Sequence, residues 1–428
     1  MATANGPGGS TADDSSEQSR AHGLRLMSGR DPDEQHRAAT PLELLYDLTF
    51  VVAFGVAGEQ FAHLMAEGHF ASGLIGFSYA IFAVCWCWIN YSWFASAYDT
   101  DDWAFRVATM VQMVGVIILA LGLPQVFHSI DEGHTIDNAV TVAGYIVMRV
   151  SMIFLWLRAA RQDQPRRRTC QTYAITIGVA QLGWVALLLA HTTIAAFFAW
   201  AALLILIEMA GPVLAERRRG GTPWHAHHIA ERYALLTIIT LGEGVIGTVA
   251  SLGAVVESQG WSLDAVLVAV AGIGLTFGLW WIYFTVPAGE VLHVHRERLF
   301  SWGYGHMLIF GSIAATGAGL HVAASYIGHQ AHIGATATVM TVAAPVAVYA
   351  FALFALYTYL VRSGDPFHGA LLAGTAAILA LAVLLASVGI PMAVCLVVLM
   401  LAPLVTVVGY ETVGHRHLNA ALNRALAD

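Results

Sequence analysis

The sequence predicts an all-α polytopic integral membrane protein with about twelve transmembrane helices. Three observations carry that expectation. Of 428 residues, 57% are hydrophobic and 11% charged, against about 25% charged in ordinary soluble domains. Apolar runs of the roughly 20 residues a bilayer requires begin near Leu42, Gly73, Trp103, Asn138, Gln171, Ile194, Glu231, Leu263, Trp302, Gly334, His368 and Pro391. The third observation is charge placement. All 20 basic residues are arginine, and the loop arginines (Arg106, Arg158 to Arg168, Arg217 to Arg219, Arg296, Arg298, Arg362 and Arg416) follow even-numbered runs. The loops after odd-numbered runs carry none. Under the positive-inside rule both termini and the even-numbered loops are cytoplasmic.

Residues 1–39 are polar and Gly/Ser-rich, so a disordered cytoplasmic tail is expected there, with no cleavable signal. The first apolar run then serves as its own insertion signal. Residues 40–220 and 221–414 form two six-helix halves, and 415–428 a second cytoplasmic tail. A faint repeat supports the division: CWCWINY (85–91) against LWWIYF (279–284), and Glu43 and Glu231 each followed by Leu-Thr. Six spans per unit make the two repeats parallel, related by an axis along the membrane normal.

The first run, TPLELLYDLTFVVAFGVAGEQFAHL (40–64), carries Glu43, Asp47, Glu59 and His63. On a helix Asp47 shares a face with Glu43, Val51, Phe54, Gly58 and Ala62, which marks a side turned toward protein. Glu59 falls about 120° away and belongs elsewhere. Arg149 stands near the middle of the fourth run, where an arginine costs roughly 2.5–3.5 kcal/mol on insertion scales. It therefore needs an acid inside the bundle, and the expected partner is Asp47 or Glu243, with Glu208 and Glu59 as further candidates. Glu243 lies between Gly242 and Gly244 near the midplane of the seventh run. Those glycines allow either a local break near an ion or plain helix packing. The ion or substrate path is thus assigned to Glu43, Asp47, Arg149, Glu208 and Glu243. Asp99, Asp101, Asp102, Glu231 and Arg232 are assigned to a cytoplasmic mouth, with helix capping by Asp102 as the simpler role for that residue.

Other motifs point away from chemistry. LGEGVIG (241–247) matches a dinucleotide fingerprint only in letters, because no strand precedes it. Cys85, Cys87, Cys170 and Cys395 have neither disulfide-framework nor zinc spacing and are expected to pack. His225, His227 and His228 are expected in a solvated loop rather than at a metal. The aromatic run CWCWINYSWF reads as an interfacial belt. No metal, cofactor or catalytic set is expected.

The strings LELLYDLTFVVAF, NYSWFASAYDTDD and HAHHIAERYALLTIITLGE, in that order, resemble the bacterial low-temperature-requirement A family from about Pro41 to the last run. That resemblance implies a polytopic protein of the bacterial inner membrane with no settled activity. A second resemblance is to six-helix-repeat potassium channels without the usual selectivity-filter loop. Tyr46-Asp47 and Trp88-Ile89-Asn90 occupy comparable places, but the channel motif's serine is missing and Tyr91-Ser92 replace a His-His pair. No ion selectivity carries over.

The expected role is proton-coupled transport of an ion or small solute. A cation or proton channel is the alternative, followed by a non-transporting sensor or enzyme linked to cold or stress growth. The expected partners are the lipid bilayer and the transported species, with self-association left open and nucleic acid excluded. Topology is directly testable. In a cysteine-free variant, cysteines introduced at Gly133 or Gly328 should react with an impermeant reagent in intact cells. Reaction only after permeabilisation would invert the orientation.

Overall fold

A computed structural model describes residues 23–34, 37–218, 221–362 and 364–427. Its helices are α1 (Pro41–Glu67), α2 (Phe70–Tyr98), α3 (Trp103–Glu132), α4 (Ala139–Gln162), α5 (Arg167–Leu189), α6 (Ile194–Glu216), α7 (Ala226–Gln259), α8 (Leu263–Tyr283), α9 (Ala288–Val294), α10 (Leu299–Ile327), α11 (Ala335–Val361), α12 (Pro366–Ser387), α13 (Met392–Gly409) and α14 (His415–Ala427). Among the described residues, twelve helices are long and apolar enough to cross a membrane, namely all but α9 and α14. The two last spans are separated at residues 388–391, in the SVGIP turn.

The helix starts follow from local chemistry. Thr40 and Glu43 form a reciprocal capping box around Pro41 at the first helical position, which satisfies two orphan N–H groups at once. Asp102, Thr193, Ser262 and Asp365 cap α3, α6, α8 and α12 through side-chain oxygens. The simpler role for Asp102 is the one observed.

Helix α10 is the most enclosed span and packs against α7, α11, α1 and α2. The two halves of the chain therefore meet where α1 and α2 face α7 and α10. Leu44, Leu45, Leu48 and Val52 lie on the outer side of α1, each at least 43% exposed, as a lipid-facing stripe requires. The aromatic run of α2 is core, not belt: Trp86, Trp88 and Tyr91 are buried at 1%, 0% and 0% exposure. Its rings find partners inside the bundle, with Tyr91 stacked on Tyr46 at 3.8 Å between centroids. The four cysteines are free and buried.

Part of the expected N-terminal tail is packed. Met27 is fully buried and its N–H donates to Gln162 Oε1 at 2.7 Å. Arg25 N donates to Asp102 Oδ2 at 3.0 Å, and Arg30 N to the carbonyl of Ala97 at 2.9 Å. The Glu34 carbonyl meets His225 Nε2 at 2.9 Å. Residues 25–34 thus form a strap across the α2–α3, α4–α5 and α6–α7 connections. Residues 1–22 of that tail lie outside the described residues. On the opposite face, His332 N donates to the carbonyl of Ala66 at 2.8 Å and Asp131 receives Ser72 Oγ at 2.6 Å.

Under the strap, Asp99 and Asp102 respond to pH in opposite senses. Burial, reinforced by the Glu43 charge, pushes Asp99 up to about 6. Burial also opposes ionisation of Asp102, but hydrogen bonds from Arg158, Phe105 N and Arg25 N outweigh it and bring its pKa down to about 2. A raised carboxyl binds its proton more tightly in the fold, so its contribution to stability falls as pH rises from about 4 to about 6, by about 2–3 kcal/mol. A depressed one contributes above about 4 and is lost as pH falls toward 2. Asp99→Asn should therefore raise the melting temperature in detergent at pH 7–8 and flatten the pH 4–6 segment. Asp102→Asn should lower the melting temperature at pH 7.

Candidate functional site

The first cluster forms where α1 faces α7. Glu43 and Asp47 stand one turn apart on α1, and His228 and Arg232 stand one turn apart on α7. Both helices start on the same side, so residues six positions in lie at matching depth, about 9 Å along each axis. Arg232 Nη1 donates to Glu43 Oε1 at 2.8 Å and Nε to Asp47 Oδ2 at 3.1 Å, while Nη2 bonds Asp47 Oδ1. His228 Nε2 lies 3.1 Å from Glu43 Oε1, and Trp88 Nε1 donates to Asp47 Oδ1 at 2.7 Å. All four charged or titratable side chains are 0% exposed. Burying such ions is repaid only by close geometry and full hydrogen bonding, which the bidentate guanidinium supplies.

A second cluster answers the Arg149 question differently from the sequence expectation. The partner is neither Asp47 nor Glu243. Arg149 Nη2 donates to Tyr145 OH at 2.5 Å, Tyr145 OH donates to Glu208 Oε2 at 2.6 Å, and the guanidinium lies 3.8 Å from Glu208. The reason is geometric: α4 packs on α3 and α5, so its interior face meets the first half's own acid. Glu208 is 6% exposed and therefore interior, not interfacial. This triad is complete within the first half.

Glu243 is different again. It stands at the middle of α7, which runs unbroken from Ala226 to Gln259, so the glycines serve packing and not a break. Gly317 of α10 lies so close that a Cβ there would meet the Glu243 carbonyl carbon at 2.5 Å. The carboxylate points toward α1, where a Cβ at Gly55 would lie 3.3 Å from Oε1 and one at Gly58 3.6 Å from Oε2. Glu243 is 4% exposed, and no described residue hydrogen-bonds or ion-pairs with its carboxylate. A buried carboxylate without a partner is costly to ionise, and such groups inside a bundle are functional candidates.

Above it, a space opens between α1 and the α7–α10 pair, which stays joined by Ser251 Oγ donating to the Leu320 carbonyl at 2.6 Å. Glu59, Ala62, His63, Ala250, Glu257, His321, Ser325, His329 and Gln330 line part of a cavity of about 700 Å³ there. It opens on the face away from the strap. The lining nearest Glu243 is Glu59, one residue beyond Gly58 on α1, and Ala250 on α7, about 10 Å along that helix from Glu243.

The residues assigned to a cytoplasmic mouth have partners of their own. Arg232 is buried in the α1–α7 cluster, Asp101 pairs with Arg106 at 2.8 Å, and Asp102 bonds Arg158 and the strap. Asp99 Oδ1 accepts from Asp101 N at 2.8 Å, and Glu231 accepts from Ala39 N at 3.2 Å. Nor is the histidine cluster a solvated loop: His225 caps α7, His228 is in the ion cluster, and only His227 is exposed. Among the described residues no group of three or more His, Cys, Asp or Glu could hold a metal. Sequence reasoning missed Thr40 and the parts that Trp88 and His228 play in this cluster. The signals were present in the T-x-x-E signature of TPLE and in the matching four-residue spacings Glu43/Asp47 and His228/Arg232.

Breaking the first cluster should be expensive. Arg232→Leu leaves two buried carboxylates uncompensated and should cost about 3–5 kcal/mol, read as a large fall in detergent melting temperature. Adding Glu43→Gln and Asp47→Asn should restore much of it. Arg232→Lys should also lose stability, because an ammonium cannot reproduce the fork across both acids.

Residues 38–403 match the family model of the bacterial low temperature requirement A protein (LtrA). The chain is also 25% identical over 319 residues to the uncharacterized protein RA0937 of Rhizobium meliloti (strain 1021), covering 71% of this chain and 72% of that one. No solved structure matches the chain. With the match extending from before the first span into the last, this chain belongs to the bacterial LtrA family.

Proposed function

We propose that the protein is a proton-coupled transporter of the bacterial inner membrane, with Glu243 as the proton-carrying group. The observation that carries the reading is an unpaired, 4%-exposed carboxylate beneath a cavity of about 700 Å³ that opens to one face. A carrier needs an occluded group that changes protonation and a barrier on the side opposite the open one. The Glu43–Asp47–Arg232–His228 cluster is that barrier. The arginine pattern puts it on the cytoplasmic side, with both termini, so that the vestibule faces outward. Two six-span halves hinging where α1 meets α7 and α10 complete the picture. Arg149, Tyr145 and Glu208 are assigned to holding the first half rigid, outside the proton path.

Transport distinguishes this reading from a channel, which would need a continuous path past Arg232. Purified protein in vesicles loaded with a pH-sensitive dye should acidify or alkalinise the lumen when one class of a solute panel is added. The panel comprises alkali and alkaline-earth chlorides, choline, amino acids and sugars. Glu243→Gln should abolish the response while eluting as a monodisperse species. No proton movement with any panel member, wild-type movement in Glu243→Gln, or unitary conductance in planar bilayers would overturn the proposal.

A further inference from the structure

We infer that the transported species is a monovalent inorganic cation and that it exchanges with the proton at Glu243, the two occupying one carboxylate in turn. This rests on the proton-coupled reading above and names its substrate class and stoichiometry. The vestibule decides the sign of charge. Its lining includes Glu59 and Glu257 together with neutral oxygen donors such as Ser325 and Gln330 and, among the described residues, no arginine. The nearest cation on α7, Arg232, lies eleven residues toward the strap, about 16 Å along the helix, and is bound by two carboxylates.

The floor decides size and valence. Gly55 and Gly58 leave only the room of their missing methyl groups beside the Glu243 carboxylate, whose oxygens lie 3.3 and 3.6 Å from the positions a Cβ would take. That gap suits a small ion and excludes an organic molecule of any bulk. One carboxylate supplies one negative charge and hard oxygen ligands, which match an alkali cation; multivalent and softer metals require more acids or converging imidazoles. His63, His321 and His329 line the same cavity without converging on a three-ligand group.

Exchange follows from having a single site. When the cation binds, the carboxyl O–H bond breaks, the proton leaves to water and the carboxylate keeps the electron pair. One cation enters as one proton departs, so net charge moved is zero. The titratable groups facing this region are Glu59 and His63 from α1, His321 from α10, His329 from the α10–α11 connection and Glu257 from α7 itself, while α8 presents Thr276 against Gly244.

The test uses the full chain in dye-loaded vesicles. Pulses of NaCl or KCl should release or take up protons, and clamping the voltage to zero should leave the initial rate unchanged. Glu243→Gln should abolish exchange and Glu243→Asp should retain it. Glu59→Gln combined with Glu257→Gln should raise the cation concentration for half-maximal rate several-fold with the maximal rate kept. Gly55→Ala should shift preference toward Na+ over K+, an outcome a packing role would not produce. If choline, an amino acid or a sugar drives protons through Glu243 and alkali cations do not, the cation assignment fails while proton coupling stands. If Na+ flux is strongly voltage-dependent, one-for-one exchange fails. If Zn2+ alone drives protons, the valence argument is wrong.

Discussion

The bundle is organised around a single guanidinium. Arg232 satisfies Glu43 and Asp47 together, and by doing so ties the first helix of one half to the first helix of the other. Ion pairs of this kind contribute little net stability against an apolar core of equal volume, yet they penalise every alternative register. A slip of one residue would carry the guanidinium about 1.5 Å along and 100° around, leaving two acids unpaired in a dry interior. The surrounding rings gain definition from the same constraint. Trp88 donates to Asp47, and Tyr46 lies stacked on Tyr91 beside it.

With α1 and α7 tied near the strap, a cavity opens between them toward their opposite ends. The glycine contacts at mid-membrane keep the backbones close where Gly317 abuts Glu243; beyond that point the vestibule opens between α1 and the α7–α10 pair. One end is held by charge and the middle by absence of side chains, while at the other end Ser251 Oγ donates to the Leu320 carbonyl at 2.6 Å and α1 is tied through Ala66 to His332. That arrangement along α1, α7 and α10 is what leaves one carboxylate between a closed region and an open one.

Twelve spans were legible because hydropathy and arginine placement report directly on the solvent the chain must cross. The protein-facing stripe of α1, the cap at Asp102 and the packing cysteines were legible for equally local reasons. Pairings between helices were not. Arg149 and Glu208 stand 59 residues apart, and nothing in periodicity says that α4 and α6 bring them together while Asp47 is taken by a residue in the other half. Arg232 read as interfacial because α7 starts five residues earlier than its apolar run, an extension of polar helix that hydropathy does not register. The aromatic run of α2 misled for a related reason: composition shows what a lipid interface accepts, but the same Trp and Tyr serve as core when polar partners are buried with them.

The strap has a consequence for assembly. Its contacts at Gln162 and His225 belong to connections made only after the fourth and sixth helices have left the ribosome. The amino-terminal segment is therefore synthesised before its docking platform exists and settles only once the seventh helix is inserted. A segment made before its platform thus becomes a latch, one that can seat only after the first half and the start of the second are in place.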